Sequence, residues 1–586
     1  MHFRAFAPEH DRVEVVFFRA DGREAGESPL ARETDGYFGA TIEHPPSPLY
    51  KYRVDGTGPF PDPAARAQPF GVHGPSAIVP DHFDWTDEGW RGLALDDAVI
   101  YELHVGTATR EGTFEALIPR LAGLRALGVT AIELMPVASF PGRRNWGYDG
   151  VSLFAPHEGY GGVRGLKRLV DAAHRTGLAV LLDVVYNHLG PDGNYLRCYS
   201  NQYFTDRHKT PWGDAFDFDN PHVRRFFEDN AAMWIRDFHL DGLRLDATHA
   251  IADDAAPPFL GELAARARAA APDRRVLVIA EDGRNERRLL ADPKVEARGC
   301  ALDAVWADDL HHALRRALAG DHDGYFRDYT GSAREIAKIL QDGWLYRGEH
   351  SIHHGAPRGT SPGGIAPARF VHCIQNHDQI GNRAFGDRLG QSITPAAYRA
   401  ASALLLLDPG TPLLFMGQEW NASTPFLYFT DHEGALGTAV REGRRAEFAS
   451  FTGFAAEDIP DPQADATFER SMLDWDEADR PEHAGIRALY RELLALRANH
   501  PALRGRDRAN VEARALDDDA LLLRRSTGRR SLSLLVNLRG AREHPMGGGR
   551  IVLHTEEARF GGRNESIRIL DGGIRIDGPA AVIWEG

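Results

Sequence analysis

Gly165-Leu-Lys-Arg-Leu-Val-Asp-Ala-Ala-His-Arg175 followed by Leu178-Ala-Val-Leu-Leu-Asp183 is the stretch on which the fold turns. In its first half Leu166, Leu169, Val170 and Ala173 share one face at helical spacing, with Lys167, Arg168 and Asp171 elsewhere. Its second half is a short apolar run that ends on a carboxylate, the pattern of a buried strand. Helix handing over to buried strand is one βα unit. Working outward, strands are expected at Val99–His104, Thr130–Met135, Leu178–Asp183, Gly242–Asp246, Val276–Ala280, Ala304–Trp306, Phe370–Ile374 and Pro412–Met416. Helices are expected over Phe114–Leu127, Gly165–Arg175, Val223–Phe238 and Ala397–Leu407. Such alternation predicts a (β/α)8 TIM barrel, placed at residues 96–503. Long insertions are expected at Leu189–Asn220, His322–Pro367 and Glu419–Trp475.

The flanks read differently. Val13–Phe18 and Tyr50–Val54 are short strands among Gly- and Pro-rich turns, so residues 1–95 are expected to form a small Ig-like β-sandwich. Leu521–Arg524, Leu532–Asn537 and Ile567–Leu570 are strand-like, and residues 504–586 are expected to form a small C-terminal β domain. The fold class is therefore multidomain.

Bulk composition narrows the function. The chain has 586 residues, long enough to bury a large core without disulfides. Its three cysteines, Cys198, Cys300 and Cys373, are scattered and form no CxxC, which supports neither a disulfide framework nor a zinc site. A net charge of −16 argues against nucleic acid or an anionic membrane as partner, whereas a neutral sugar fits. The first residues lack an apolar signal core, and no apolar run approaches the ~18 residues of a membrane span. A cytoplasmic enzyme is expected.

Three acids close three of the expected strands: Asp246, Glu281 and Asp378. Strand C-termini are where barrel enzymes keep their chemistry. Cleaving a glycosidic bond with retention needs a carboxylate nucleophile and a protonated carboxylic acid, and a third acid can stabilise the developing sugar cation. Arg244 and Asp246 are two apart on one strand and share a face, so the guanidinium keeps the acid ionised. Glu281 follows Leu277-Val-Ile-Ala280, apolar surroundings that raise its pKa. Read alone, the first pair is equally a structural ion pair and Glu281 a solvated rim residue. His377 and His188 alone are equally satisfied turn residues. What favours chemistry is the combination of acids, His and Arg at four strand ends of one barrel mouth. Trp146, Tyr148 and Trp212 lie in loops near it, where flat aromatic faces pack on sugar rings, although core packing is the plain alternative for each. His311-His312 and His353-His354 lack a matching carboxylate pattern and read as surface or loop residues.

These motifs resemble a known family. Asp183-Val-Val-Tyr-Asn-His188, Gly242-Leu-Arg-Leu-Asp246, Glu281 and Asn376-His-Asp378 are similar, in order, to the four signature regions of the α-amylase superfamily. The resemblance implies a retaining mechanism on α-glucosidic bonds, with Asp246 as nucleophile, Glu281 as acid/base and Asp378 as transition-state stabiliser. It also implies that Arg244, His188, His377 and Tyr148 line the −1 sugar site. Ile100–Gly106 after a sandwich resembles both glycogen branching enzymes and maltooligosyltrehalose trehalohydrolases. Phe140–Asp149, Gln375–Arg383 and Pro425–His432 resemble the trehalohydrolase branch. That branch implies hydrolysis of the α-1,4 bond beside a terminal trehalose, on maltooligosyltrehalose or related α-1,4-glucan oligosaccharides. It also implies a functional pairing with a maltooligosyltrehalose synthase. His249, Trp212 and Asp282 are candidate contacts for the trehalose unit. Thr248-His249 stands where many α-amylases carry Lys-His, which implies a different leaving-group site. Asn187 matches one ligand of the usual amylase calcium site, but its partners are not evident, so no metal or cofactor is assigned. A branching transglycosylase and a non-catalytic α-glucan-binding scaffold remain the alternatives.

Overall fold

The computed structural model describes residues 1–80, 82–448, 456–505 and 507–586. Eight parallel strands close into a barrel: β1 Ile100–Leu103, β2 Ala131–Leu134, β3 Ala179–Val184, β4 Gly242–Leu245, β5 Leu277–Glu281, β6 Ala304–Trp306, β7 Phe370–His372 and β8 Thr411–Phe415. All eight expected strands are present. Nearly every strand residue is buried, as in any sheet closed inside a ring of helices. Ile100, Leu181, Leu277, Ile279, Trp306, Val371 and Leu413 pack together as an apolar cluster within the barrel. Pairing Asp183 with Arg244, Arg244 with Ile279 and Glu281 with Trp306 sets the register that levels the functional side chains.

Helices α1 Phe114–Leu127, α2 Gly162–Thr176, α3 Pro221–Asp237 and α4 Phe259–Ala269 follow β1 to β4. The sequence starts them with side-chain caps: the Thr113 hydroxyl accepts from Ala116 N and the Asn220 amide oxygen from His222 N. Among the described residues, only the short 3-10 turn Arg287–Leu289 separates β5 from β6. Helix α5 Asp309–Leu318 follows β6, α6 Pro395–Leu407 follows β7, and α7 Pro481–Asn499 closes the ring. The α2 pattern needs one amendment. Lys167 and Asp171, off the apolar stripe, are buried as well, because the chain before the barrel lies across them. Thr86 N and hydroxyl donate to Asp171, and the Lys167 ammonium sits 5.9 Å from the Phe83 ring.

That crossing segment anchors the N-terminal strands. Trp85 stacks on His239 at 3.7 Å, and Trp90 Nε1 donates to fully buried Asp241 at 2.6 Å. The N-terminal sheet folds over itself. Glu24–Arg32 pairs with Val13–Phe18 through its first part and with Tyr37–Thr41 through Ala31 and Arg32. Phe3, on a strand of the second half, meets Phe17 at 5.6 Å and Tyr50 at 5.1 Å, so the halves share one core. The C-terminal residues form a five-stranded and a three-stranded antiparallel sheet. The insertion after β3 holds the hairpin Phe204–Thr210/Gly213–Phe216, and the one after α5 holds helix Ala333–Asp342. Residues 449–455 of the third insertion lie outside the described residues. Among the described residues no helix is long and apolar enough to cross a membrane.

Candidate active site

Polar side chains collect at the C-terminal ends of the strands. Asp246 follows β4 directly, and Arg244 lies two residues before it, fully buried. One Arg244 nitrogen donates to Asp246 Oδ1 at 2.6 Å and to both oxygens of Asp183 at 2.8 and 2.9 Å. Its guanidinium lies 4.3 Å over the Trp306 ring. The other Asp246 oxygen accepts from Asn187 Nδ2 at 2.9 Å. Burial alone would push the Asp246 pKa up, but Arg244, Asn187 and His188 outweigh it and hold this carboxyl below its ordinary value.

Glu281 ends β5 under opposite conditions. Burial, together with the neighbouring carboxylates Asp246, Asp308 and Asp378, pushes its pKa up to about 8 against the pull of Arg244. Its Oε2 accepts from the Ala247 backbone N–H at 2.7 Å. Ala247 stands in left-handed conformation, φ +40°, directly after Asp246. This bend aims its N–H at the acid, fixes one Glu281 oxygen and leaves Oε1 to carry the proton. Two adjacent acids thus hold opposite protonation states near neutral pH, the division of labour that nucleophile and acid catalyst require.

His377 begins the short helical turn His377–Gly381 after β7. Burial lowers its affinity for a proton, but Glu102 wins. The Glu102 carboxylate accepts from both Nδ1 and the backbone N–H of His377, and the imidazole pKa rises to about 9. As an imidazolium it donates through Nε2 to the Tyr148 hydroxyl at 2.7 Å, which donates onward to Asp183 at 2.7 Å. Glu102, His377, Tyr148, Asp183, Arg244 and Asp246 form one hydrogen-bonded chain across the mouth. Gly147 permits the turn that presents Tyr148: its φ is +107°, and a Cβ there would meet Pro136 O at 2.2 Å. Asp378 is half-buried, with Oδ1 3.5 Å from His377 Nε2 and 3.2 Å from Asn382 Nδ2.

The structure brings Asp246, Glu281, Asp378, Arg244, His377, Tyr148 and His188 to one place. His188 Nε2 lies 3.0 Å from Tyr148 O, and its ring stacks on Trp212 at 4.3 Å and 5°. Trp212 is 48 % exposed and helps line a cleft of about 500 Å³ with Asp149 and His188. His249 is exposed beside the nucleophile loop. Two candidates turn away. Trp146 is buried, donates to Leu427 O at 2.8 Å and stacks on Phe426, so its faces are spent on packing. Asp282 is buried, and its oxygens accept from Thr248 at 2.9 Å and from Arg284 at 2.5 and 2.8 Å. Consecutive strand residues alternate sides, so with Glu281 in the mouth Asp282 must face outward. His311 and His312 are core residues of α5 rather than surface ones. Sequence reasoning missed Glu102 and Asp183 as members of the chain. The available signal was a lone acid inside each apolar strand.

The family model for the alpha amylase catalytic domain matches residues 77–212. A malto-oligosyltrehalose trehalohydrolase of Deinococcus radiodurans is 49% identical over 498 residues, 84% of this chain and 81% of the relative. One of Arthrobacter ramosus is 43% identical over 599 residues, 99% of each chain. A solved Salmonella typhimurium structure, provisionally assigned as an alpha amylase, is 37% identical with TM-score 0.91, covering 100% of this chain and 97% of that one.

Proposed function

Since the chain belongs to the malto-oligosyltrehalose trehalohydrolase family, within the wider alpha-amylase group, we propose that it hydrolyses the α-1,4 bond beside the terminal trehalose of maltooligosyltrehalose. The products are trehalose and a maltooligosaccharide. The observation that carries this reading is the placing of two acids side by side, Asp246 held by Arg244 at 2.6 Å and Asn187 at 2.9 Å, and Glu281 with Oε2 2.7 Å from the amide next to Asp246 in surroundings that raise its pKa.

The glucan lies in the minus subsites and trehalose in the plus subsites. Glu281 passes its proton to the bridging O4 as Asp246 attacks the anomeric carbon. The carbon–oxygen bond breaks, trehalose leaves, and a covalent glycosyl-enzyme remains. Glu281, now a carboxylate, takes a proton from water, whose oxygen attacks the same carbon and releases Asp246. Asp378 stabilises the cation-like transition state. Arg244 and Asn187 orient Asp246, while the His377 imidazolium, Tyr148 and His188 bind the −1 sugar. Trp212 and His249 meet the substrate further out. Residues 96–503 carry the chemistry, flanked by β domains at 1–95 and 504–586. Three unpaired cysteines suit a reducing cytoplasm, where a synthase would supply the trehalose-capped chain.

The test is chromatographic product analysis with maltopentaosyl-trehalose and, separately, maltoheptaose. Rapid release of trehalose from the first and slow cutting of the second is expected. Equal cutting makes the protein a general α-glucan hydrolase, and rearranged chains without trehalose make it a branching transglycosylase. Asp246→Asn is expected to bind the capped chain and lose turnover by at least about 1,000-fold. Retained turnover would remove Asp246 from the nucleophile role.

A further inference from the structure

The end of β6, Trp306-Ala-Asp-Asp309, carries two adjacent acids with opposite surroundings. Asp309 is fully buried and spent. It accepts from Tyr329 at 2.5 Å, Leu345 N at 2.6 Å and Asn285 at 2.9 Å, and pairs with Arg358 at 3.0 Å. Asp308 is half-buried, and among the described residues no side-chain hydrogen bond or ion pair holds its carboxylate. It precedes α5 at the cap position, where an aspartate ordinarily accepts from its own helix. Here its backbone is already helical, φ −69° and ψ −13°, and no capping bond forms.

Its place in the barrel gives that free carboxylate a use. Glu281 is level with Trp306 across the β5–β6 pair, so Asp308 stands beside the end of β5. The next strand, β7, leads to Asp378. The charged and titratable groups facing Asp308 are Glu281, Asp378, Asp309, Tyr325 and Cys373 together with Arg358 and Arg244. None of them is a hydrogen-bonded partner. With no protein partner among the described residues and not fully buried, this carboxylate is free to accept from a ligand in the cleft. In barrel order Asp308 follows Glu281, at the end of the strand next to the acid that protonates the leaving oxygen. Carboxylate oxygens readily accept from a pair of neighbouring sugar hydroxyls.

We propose that Asp308 touches the substrate, accepting hydrogen bonds from hydroxyls of the sugar on the leaving-group side of the scissile bond. The side assigned rests on the roles given above to Asp246 and Glu281.

The full-length protein and its Asp308→Asn and Asp308→Ala variants are assayed on maltopentaosyl-trehalose, maltoheptaose and α-maltosyl fluoride. The fluoride fills the minus subsites and has no leaving sugar. A fall in kcat/KM of at least about tenfold on both oligosaccharides is expected at neutral as well as alkaline pH, with less than about twofold change on the fluoride. Equal losses on all three substrates would make Asp308 structural, and no loss would mean no contact. A loss confined to alkaline pH would make Asp308 only a neighbour that keeps Glu281 protonated. Each of these overturns the proposal. Asp308→Asn preserves size and helix start, so its thermal melting reports folding separately. Failure of the wild type to release trehalose would instead overturn the trehalose reading, since the effect of Asp308 is also read on maltoheptaose.

Discussion

Asp246 and Glu281 share a barrel mouth yet hold opposite charge states, and the cause lies in their immediate partners. Asp246 faces a guanidinium and an amide; Glu281 faces carboxylates and one backbone N–H. Turnover needs the first ionised and the second protonated. The kcat/KM profile on the capped chain should therefore be bell-shaped. On the acid side Asp246 keeps its charge to pH values below the ordinary carboxylate range, so an acid limb near pH of about 6 belongs to Asp183 or Asp308, whose carboxyls burial pushes up to about 6. The profile should fall above pH of about 8, as Glu281 loses its proton. On α-maltosyl fluoride the alkaline limb should vanish, since fluoride departs without a strong acid catalyst. An identical alkaline limb on both substrates would show that another group controls it. Asp246 and Glu281 stand out in the sequence because each closes an apolar run, whereas Asp378 stands in the turn His377–Gly381 beyond β7. The outward turn of Asp282 and the packing of Trp146 were not legible there, because the first depends on strand phase and the second on Phe426 and Leu427, far along the chain.

At the scale of elements, the turn His377–Gly381 shows how a misread residue still serves the site. Trp146 is held by its bond to Leu427 O and its stack on Phe426, and it lies against this turn. A Cβ on Gly381 would sit 2.1 Å from Trp146 Cη2. Neither side can give way cheaply, so Gly381→Ala must shift the turn that carries His377 and Asp378. Overpacking of this kind costs about 1–3 kcal/mol. The variant should melt at lower temperature and lose kcat roughly tenfold, a modest misplacement of groups near the chemistry. Unchanged melting and kcat would show that the turn relaxes freely. The elements themselves were readable from period and caps: α1 runs over Phe114–Leu127 as expected, and β6 over Ala304–Trp306. The burial of Lys167 and Asp171 was not readable from α2, since the covering segment at Phe83 and Thr86 belongs to another part of the chain.

Across the whole molecule, the C-terminal sheets are tied to the barrel through buried arginines. Arg525 in the sheet donates to Asp408 O at 3.3 Å and to Leu503 O at 2.8 Å. Arg399 on α6 makes a two-pronged pair with Glu556, 2.7 Å on each oxygen, and its Nε donates to Thr555 O at 2.9 Å. Both side chains of that pair are about 5 % exposed or less. A buried pair is weak evidence of net stabilisation, because desolvation opposes the attraction, but removing one partner strands the other charge. Arg399→Met should therefore destabilise the protein by about 3–5 kcal/mol. The double variant Arg399→Met with Glu556→Leu should recover most of that loss, since no buried charge remains. Thermal melting of wild type, both single variants and the double variant reads the coupling. If the double variant loses as much as the two single ones combined, the pair is uncoupled, and each side chain stabilises through its other bonds, Arg399 through Thr555 O and Glu556 through Arg563 N.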